Sequence, residues 1–363
     1  MNAQAAAPSP RSRGFVWPAW GWSLLGVIAV WGIIISVRPG APFDPLVQAL
    51  SLAPFLVLVA LGQMLVITLG PGNIDVSVGT VISMASYVSV AVGMNAGPII
   101  GLLAAIISGC IAGLVSVAAI LLLRVPPIIA TLATSLIVTS GTLLLADSAR
   151  GGAAPSLRAF VNAKVLGVPV TALLVAAITA IIWFVLRRTR FGISVIAVGQ
   201  SAPAAERAGI SVKLVTAITY LICAGFAGLV GGLLAAFISP STVLGTSYML
   251  DSIAVVVIGG TLIAGGRPIA IGTWTGAMFF VLLSGLLNLV GWSVGAQNVL
   301  KGVLVVLVVV VAAASTGTGR RTLRRFRRSF APGPGDSDDT DDPGAAGTSE
   351  NSHHAQQKEK THG

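Results

Sequence analysis

The chain has 363 residues, of which 55% are hydrophobic and 9% charged, with a formal net charge of +10 and a mean hydropathy of +0.92. Soluble domains carry about 25% charged residues, so this composition excludes a water-soluble globule with a polar exterior. The positive charge does not indicate nucleic acid, because Lys and Arg stand in short clusters beside apolar runs rather than on a basic face interleaved with aromatics.

Apolar runs of about 20 residues, enough to cross a hydrocarbon core roughly 30 Å thick, recur along almost the whole sequence, whereas a membrane barrel would show alternating strands of about 10. The expected fold is an all-α polytopic membrane protein. Residues 1–15 form a cytoplasmic N-terminal segment in which Arg11 and Arg13 precede the first run. That run is too long for a secretory signal core and lacks a small-x-small cleavage site, so it reads as a retained span.

Cutting at Pro, Gly and charge clusters gives ten candidate spans: 16–36, 46–69, 76–95, 98–123, 127–146, 168–186, 214–238, 249–265, 268–290 and 295–315. An even count puts both termini on one side. With that side cytoplasmic, Arg124, Arg187, Arg188, Arg190, Arg207, Lys213, Arg267 and the basic cluster 320–328 fall inside, against Arg38, Arg150, Arg158, Lys164 and Lys301 towards the outside. The transmembrane domain is therefore 16–315. Cys110 and Cys223 lie in apolar runs without disulfide or zinc-ligand spacing and read as buried packing residues.

The first marked interruption is GPGNIDVSVG, residues 70–79. Gly70, Pro71 and Gly72 end a helix, Asn73 tolerates a left-handed backbone, and Asp75 or Ser77 can accept hydrogen bonds from the amides that open the next helix. Two readings stand: an N-capped turn, or a carboxylate near the membrane whose cost is met by a polar cavity, so that Asp75 lines or gates a solute path. Gln63 and Asn288, polar groups within apolar runs, divide likewise between interhelical hydrogen bonding and solute recognition.

The longest external loop, about 147–167, leaves no room for an extracellular binding domain. On the inner side, within the loop 187–213, Ser201 suits an N-cap, Pro203 a first helical turn and Gly209 a stop, with Ala204, Ala205, Glu206 and Arg207 between them. An isolated helix this short is marginal below about 12 residues, so it must pack on its own bundle or on a cytoplasmic partner.

In the stretch 248–276, Gly259, Gly260, Gly265 and Gly266, with the Gly272/Gly276 pair, suit close helix packing, and Asp251 either caps the eighth span or faces an external mouth. Residues 316–363 are basic and then polar, too poor in aliphatic residues to fold, and read as a disordered cytoplasmic tail. All three histidines, His353, His354 and His362, lie there, so the membrane body has neither the usual general base nor a metal-ligand cluster, and no catalytic residue is assigned. No G-x-x-x-x-G-K-[ST] occurs, so any driving nucleotide must bind another chain.

Taken in this order, the three interruptions resemble the permease subunits of bacterial ABC importers for simple sugars, the ribose and xylose type. The family pattern G-G-I-D-L-S-V-G is met by Gly72, Ile74, Asp75, Ser77, Val78 and Gly79. Its cytoplasmic pattern A-x-G-x-N-x-x-A-A-x-x-x-G-I is met by Ala197, Gly199, Ala204, Ala205, Gly209 and Ile210, and D-x-I-A-x-x-x-x-G-G-T followed by G-G is met by Asp251, Ile253, Ala254, Gly259, Gly260, Thr261, Gly265 and Gly266. Asn73 stands where the family has a second glycine and Ser201 where it has asparagine.

The resemblance implies about ten transmembrane helices in two inverted five-helix halves. It also implies a permease homodimer or a paired permease in the bacterial inner membrane, contacted by lipid and not by nucleic acid, with both termini cytoplasmic. A separate ABC ATPase would carry ATP and Mg, this chain holding no cofactor, and a sugar-binding protein outside the membrane would deliver the solute. Gly199, Ser201, Pro203, Ala204, Ala205, Glu206 and Gly209 would couple to the ATPase, while Gln63, Asn73, Asp75, Ser77, Asp251 and Asn288 would line or gate the path. The rival classes are an ion-coupled secondary transporter, which needs mid-membrane ionisable sites that Asp75 and Asp251 supply poorly, and a nucleoside or branched-chain amino acid permease.

Overall fold

In the computed structural model, residues 17–148 and 151–315 are described. The chain divides into a unit over Met1–Ala312 and a second over Ala313–Gly363. The expected N-terminal segment 1–15, the basic cluster and the histidine-bearing tail lie outside the described residues.

The helices are α1 (Gly21–Val37), α2 (Asp44–Thr68), α3 (Val78–Ala96), α4 (Pro98–Leu121), α5 (Pro127–Ser148), α6 (Pro155–Asn162), α7 (Val170–Arg188), α8 (Arg190–Gln200), α9 (Ala202–Arg207), α10 (Val212–Phe237), α11 (Thr246–Ile258), α12 (Ala270–Leu289) and α13 (Val294–Ser315). A two-stranded antiparallel hairpin, Lys164–Val165 with Val168–Pro169, follows α6. Leu157 and Val161 of α6 are buried in the main core of the bundle, where α6 packs on α7 and α10.

A helix falls in each of the ten apolar segments. Among the described residues seven helices are long and apolar enough to cross a membrane: α2, α3, α4, α5, α7, α10 and α12. By contrast α1 and α11 are shorter apolar helices of 17 and 13 residues. The expected span 249–265 therefore needs correction: its helix stops at Ile258. Gly260 adopts φ +90°, its amide donates to Val257 O at 3.0 Å, and the Thr261 amide donates to Val256 O at 3.1 Å. That paired arrangement is a Schellman stop, and Gly265 at φ +86° and Gly266 at φ +73° keep the following segment out of helix.

The hub of the fold is α2, buried continuously from Ala53 to Thr68 and packed against α7, α10, α11 and α12. A helix apolar on every face belongs in such a central position. Gly62 lets α10 approach, since a methyl there would sit 2.9 Å from Cys223 Cα. Between α4 and α10, Gly109 and Gly228 each abut a carbonyl of the other helix, leaving no room for a side chain. These are the small-residue contacts that let helices pack where lipid supplies no hydrophobic drive. The expected Gly272/Gly276 pair does the same for α12: Gly272 faces Gly259, and Gly276 faces the Val255 carbonyl of α11.

Candidate functional site

The three interruptions of the sequence meet at the C-terminal end of α2. The carbonyl of Thr68, its last residue, accepts a hydrogen bond from the Gly266 amide at 2.9 Å. Gly199, near the end of α8, lies so close that an added methyl would collide with the Thr68 carbonyl and the Gly266 backbone. A side chain at Gly265 would strike Gly70, and one at Gly266 would lie 2.7 Å from Gln200 Cγ. Three chain segments thus touch backbone to backbone, which only residues without Cβ permit. Gly265 and Gly266, expected in helix packing, instead sit in a loop and complete this junction.

Within the break, the left-handed conformations fall on Gly70 (φ +113°) and Gly72 (φ +83°), and the tolerance of Asn73 for such a backbone is not used. Asn73 instead bridges: its Nδ2 donates to Gly70 O at 3.3 Å, and its Oδ1 accepts from Tyr220 OH at 3.4 Å. Asp75 is 1% exposed. Its Oδ1 accepts from the Ser77 amide at 2.9 Å and the Ser77 hydroxyl at 2.6 Å, an Asx turn leading into α3. Ser77 is thus a donor to Asp75, and its side chain does not cap α3. Burial pushes the Asp75 carboxyl above the usual carboxylate range, opposed by the hydrogen bonds from the Ser77 hydroxyl and amide. Thr131 of α5 ties the break down by accepting from the Val76 amide at 3.1 Å.

Gln63 is 0% exposed and faces the same buried layer. Its Oε1 accepts from Cys223 Sγ at 3.8 Å, while its Nε2 has no hydrogen-bond partner among the described residues. Gln63, Asn73, Asp75 and Ser77 therefore form one polar cluster with Tyr220 and Cys223 of α10. Cys223 is more than the packing residue its sequence context suggested, whereas Cys110 is half-buried with its thiol 3.9 Å from Leu221 O.

Asp251 and Asn288 lie elsewhere. They line a cavity of about 560 Å³ with Arg38, Asp44, Gln48 and Lys301. Asp44 and Gln48 begin α2, so this cavity opens at the end of that helix opposite the glycine junction, the helix rising about 36 Å from Asp44 to Thr68 at roughly 1.5 Å per residue. Asp251 does not cap α11, which begins at Thr246. Its Oδ2 pairs with Lys301 Nζ of α13 at 2.9 Å, each side chain being 13% exposed. Lys301 was legible only as a topology marker. Its signal as a partner was available: a lone base inside an apolar run calls for an acid. Asn288 Oδ1 accepts from Gln297 Nε2 at 2.7 Å, which holds α12 to α13.

The expected coupling segment is two helices rather than one. Thr189 caps α8, its Oγ1 accepting from the Gly192 amide at 3.2 Å; no helix is expected from the sequence between the sixth span and Ser201. Ser201 caps α9 as expected, accepting from the Ala204 amide at 3.4 Å, and Pro203 stands in its first turn. Gly209 (φ +83°) closes α9 in a second Schellman stop, with Gly209 N donating to Glu206 O and Ile210 N to Ala205 O, both at 3.0 Å. Ala205 is buried against the bundle, while Pro203, Ala204, Glu206 and Arg207 are exposed. One face of α9 rests on this chain and the other is free.

A central buried helix, small-residue packing and apolar helices of membrane-crossing length define a multi-pass helical membrane protein. The family model described as "Branched-chain amino acid transport system / permease component" matches residues 46–312, and the chain belongs to that family. The ribose import permease protein RbsC of Escherichia coli (strain K12) is 36% identical over 143 residues, 39% of this chain and 44% of that protein. The probable ABC transporter permease protein YphD of the same strain is 37% identical over 149 residues, 41% of this chain and 45% of its own length. The galactose/methyl galactoside import permease protein MglC of Haemophilus influenzae is 36% identical over 134 residues, 36% of this chain and 40% of its own. The matched region thus spans less than half of each relative. No solved structure matches the chain.

Proposed function

We propose that this chain is the membrane permease subunit of an ATP-binding-cassette importer and carries a simple sugar, a pentose or hexose, across the bacterial inner membrane. The glycine junction is the observation that carries the reading. It welds α8, and through it the half-exposed α9, to the end of the central helix α2 and to the loop between α11 and α12. A push on α9 from a cytoplasmic ATPase would reach the bundle core without slack, because backbone packed on backbone has no side chain to absorb it. The named relatives, ribose and galactose permeases, support a sugar as cargo.

In this reading a homodimer of the chain works with two ATPase subunits, which hold ATP and Mg, and with a sugar-binding protein outside the membrane. The chain performs no covalent chemistry. Both termini are cytoplasmic, α1, α11 and α13 complete ten passages in two inverted halves, and alternating access moves the solute. The family description favours one second reading, a branched-chain amino acid as cargo.

The test is a Glu206→Cys crosslink to the co-expressed ATPase, together with uptake of labelled ribose, galactose and leucine by the reconstituted complex. A crosslink with sugar uptake supports the proposal, and uptake of leucine alone transfers it to the second reading. An intact complex in which position 206 never approaches the ATPase removes the coupling assignment.

A further inference from the structure

The cavity at the N-terminal end of α2 is balanced in charge. Its lining brings two cations, Arg38 and Lys301, and two carboxylates, Asp44 and Asp251. Asp251 and Lys301 are bonded at 2.9 Å and mostly buried, so each cancels the field of the other. Arg38 and Asp44 are exposed and add one charge of each sign, so a charged solute entering here would shed its hydration and meet no net opposite charge in the lining.

Hydroxyl groups meet different conditions. Each donates once and accepts twice, which suits the mixed inventory of the lining: the amides of Gln48 and Asn288, the hydroxyls of Ser247, Tyr248 and Ser284, and the Lys301 N–H donors beyond the one given to Asp251. Leu52, Leu56 and Phe280 supply an apolar wall for C–H faces. The volume, about 560 Å³, lies in the range of small-molecule pockets, roughly 300–1,000 Å³.

We infer that this cavity is a station on the solute path and that its self-neutralised Asp251–Lys301 pair confines it to uncharged polyhydroxylated solutes, turning away sugar phosphates, sugar acids and amino acids. The inference rests on the sugar-importer reading for its choice of solute, and the cavity can be probed without the partner subunits.

The experiment uses the full-length chain in lipid nanodiscs with Ser284→Cys, a near-isosteric change in the lining. A membrane-impermeant maleimide labels the thiol, with the unsubstituted protein as the background for Cys110 and Cys223. Ribose or galactose should slow labelling severalfold, while ribose 5-phosphate, gluconate and leucine should leave it unchanged. Adding Asp251→Asn frees the Lys301 charge, and ribose 5-phosphate should then protect; the double change Asp251→Asn with Lys301→Gln should restore indifference to the anion. A thiol that never labels, one that neutral sugars do not protect, or one that leucine or the phosphate protects equally in the otherwise unchanged chain overturns the inference. So does an Asp251→Asn protein that still ignores the anion. ATP-driven sugar uptake without protection would sink the cavity assignment alone, whereas protection without ATP-driven uptake would sink the importer reading alone.

Discussion

Gly199→Ala is the sharpest perturbation of the α2 junction, because two physical effects of the change have opposite signs. In an open helix the substitution would stabilise by about 1 kcal/mol through helix propensity. Here the new methyl would collide with the Thr68 carbonyl and the Gly266 backbone, and both obstacles are main chain, which cannot swing aside as a flexible side chain would. Overpacking of this kind costs about 1–3 kcal/mol. Parting the segments also loses the Gly266 N–Thr68 O hydrogen bond of 2.9 Å, worth about 1 kcal/mol. The net expectation is a destabilisation of roughly 1–3 kcal/mol after the propensity gain, within what a marginally stable protein survives. Gly209→Ala is the control: its Cβ would meet nothing within 4 Å, so only the left-handed backbone (φ +83°) is strained, at about 1–2 kcal/mol. Thermal unfolding in detergent and sugar uptake by the reconstituted complex read both effects. Gly199→Ala should lower the unfolding temperature and uncouple ATP hydrolysis from uptake, while Gly209→Ala should weaken α9 locally and leave the α2 junction intact. A Gly199→Ala protein of raised or unchanged stability with full uptake would refute the junction as a rigid link.

Three further outcomes follow from the buried polar groups. Asp251→Asn or Lys301→Met alone should lower thermal stability by up to about 3–5 kcal/mol, because each leaves a mostly buried charge unpaired, and the double variant should recover most of it; a double variant as unstable as the singles would show that the pair does not act as a unit. Gln63→Leu removes a buried Nε2 that has no partner among the described residues and an Oε1 held only by the long 3.8 Å contact from Cys223 Sγ, so stability should change by less than about 1 kcal/mol in either direction, and a large loss would mean that Nε2 is satisfied in the working protein. The Asp75 carboxyl is held above its ordinary value of 3.8, so the folded state retains its proton to higher pH than the unfolded state does. Stability contributed by the protonated form is then complete below the unfolded value and is lost as pH rises through the folded one; an unfolding-temperature profile should show this decline for the unsubstituted protein relative to Asp75→Asn, and parallel profiles would contradict it.

Much of the helical architecture was legible because apolar runs separated by Gly, Pro and charge leave few alternatives in a membrane. Where the expectations failed, local sequence was ambiguous in a definable way. The segment GGTLIAGG remains apolar beyond Ile258, so hydropathy carried the eighth span onward although Gly260 had already turned the chain. No helix is expected where α8 stands, and a glycine that breaks a helix and one that lets another backbone approach, as Gly192 and Gly199 do, look alike in sequence. In the 70–79 break, Asn73 could tolerate positive φ, but the adjacent glycines take it at lower cost. The three glycine-rich interruptions were each visible, but their meeting at Thr68 is a tertiary fact, as is the Asp251–Lys301 pair between residues 50 positions apart. Candidates that seemed to share one path, Gln63 with Asp75 and Asp251 with Asn288, stand at opposite ends of α2 for the same reason.

The most direct measurement is uptake of labelled ribose and galactose into proteoliposomes holding this chain with the proposed ATPase and the proposed binding protein, with ATP and ion gradients varied independently. Accumulation that requires hydrolysable ATP, persists when proton and sodium gradients are collapsed, and falls severalfold with Gly199→Ala is the expected result. Uptake driven by an ion gradient in the absence of ATP would contradict the assignment.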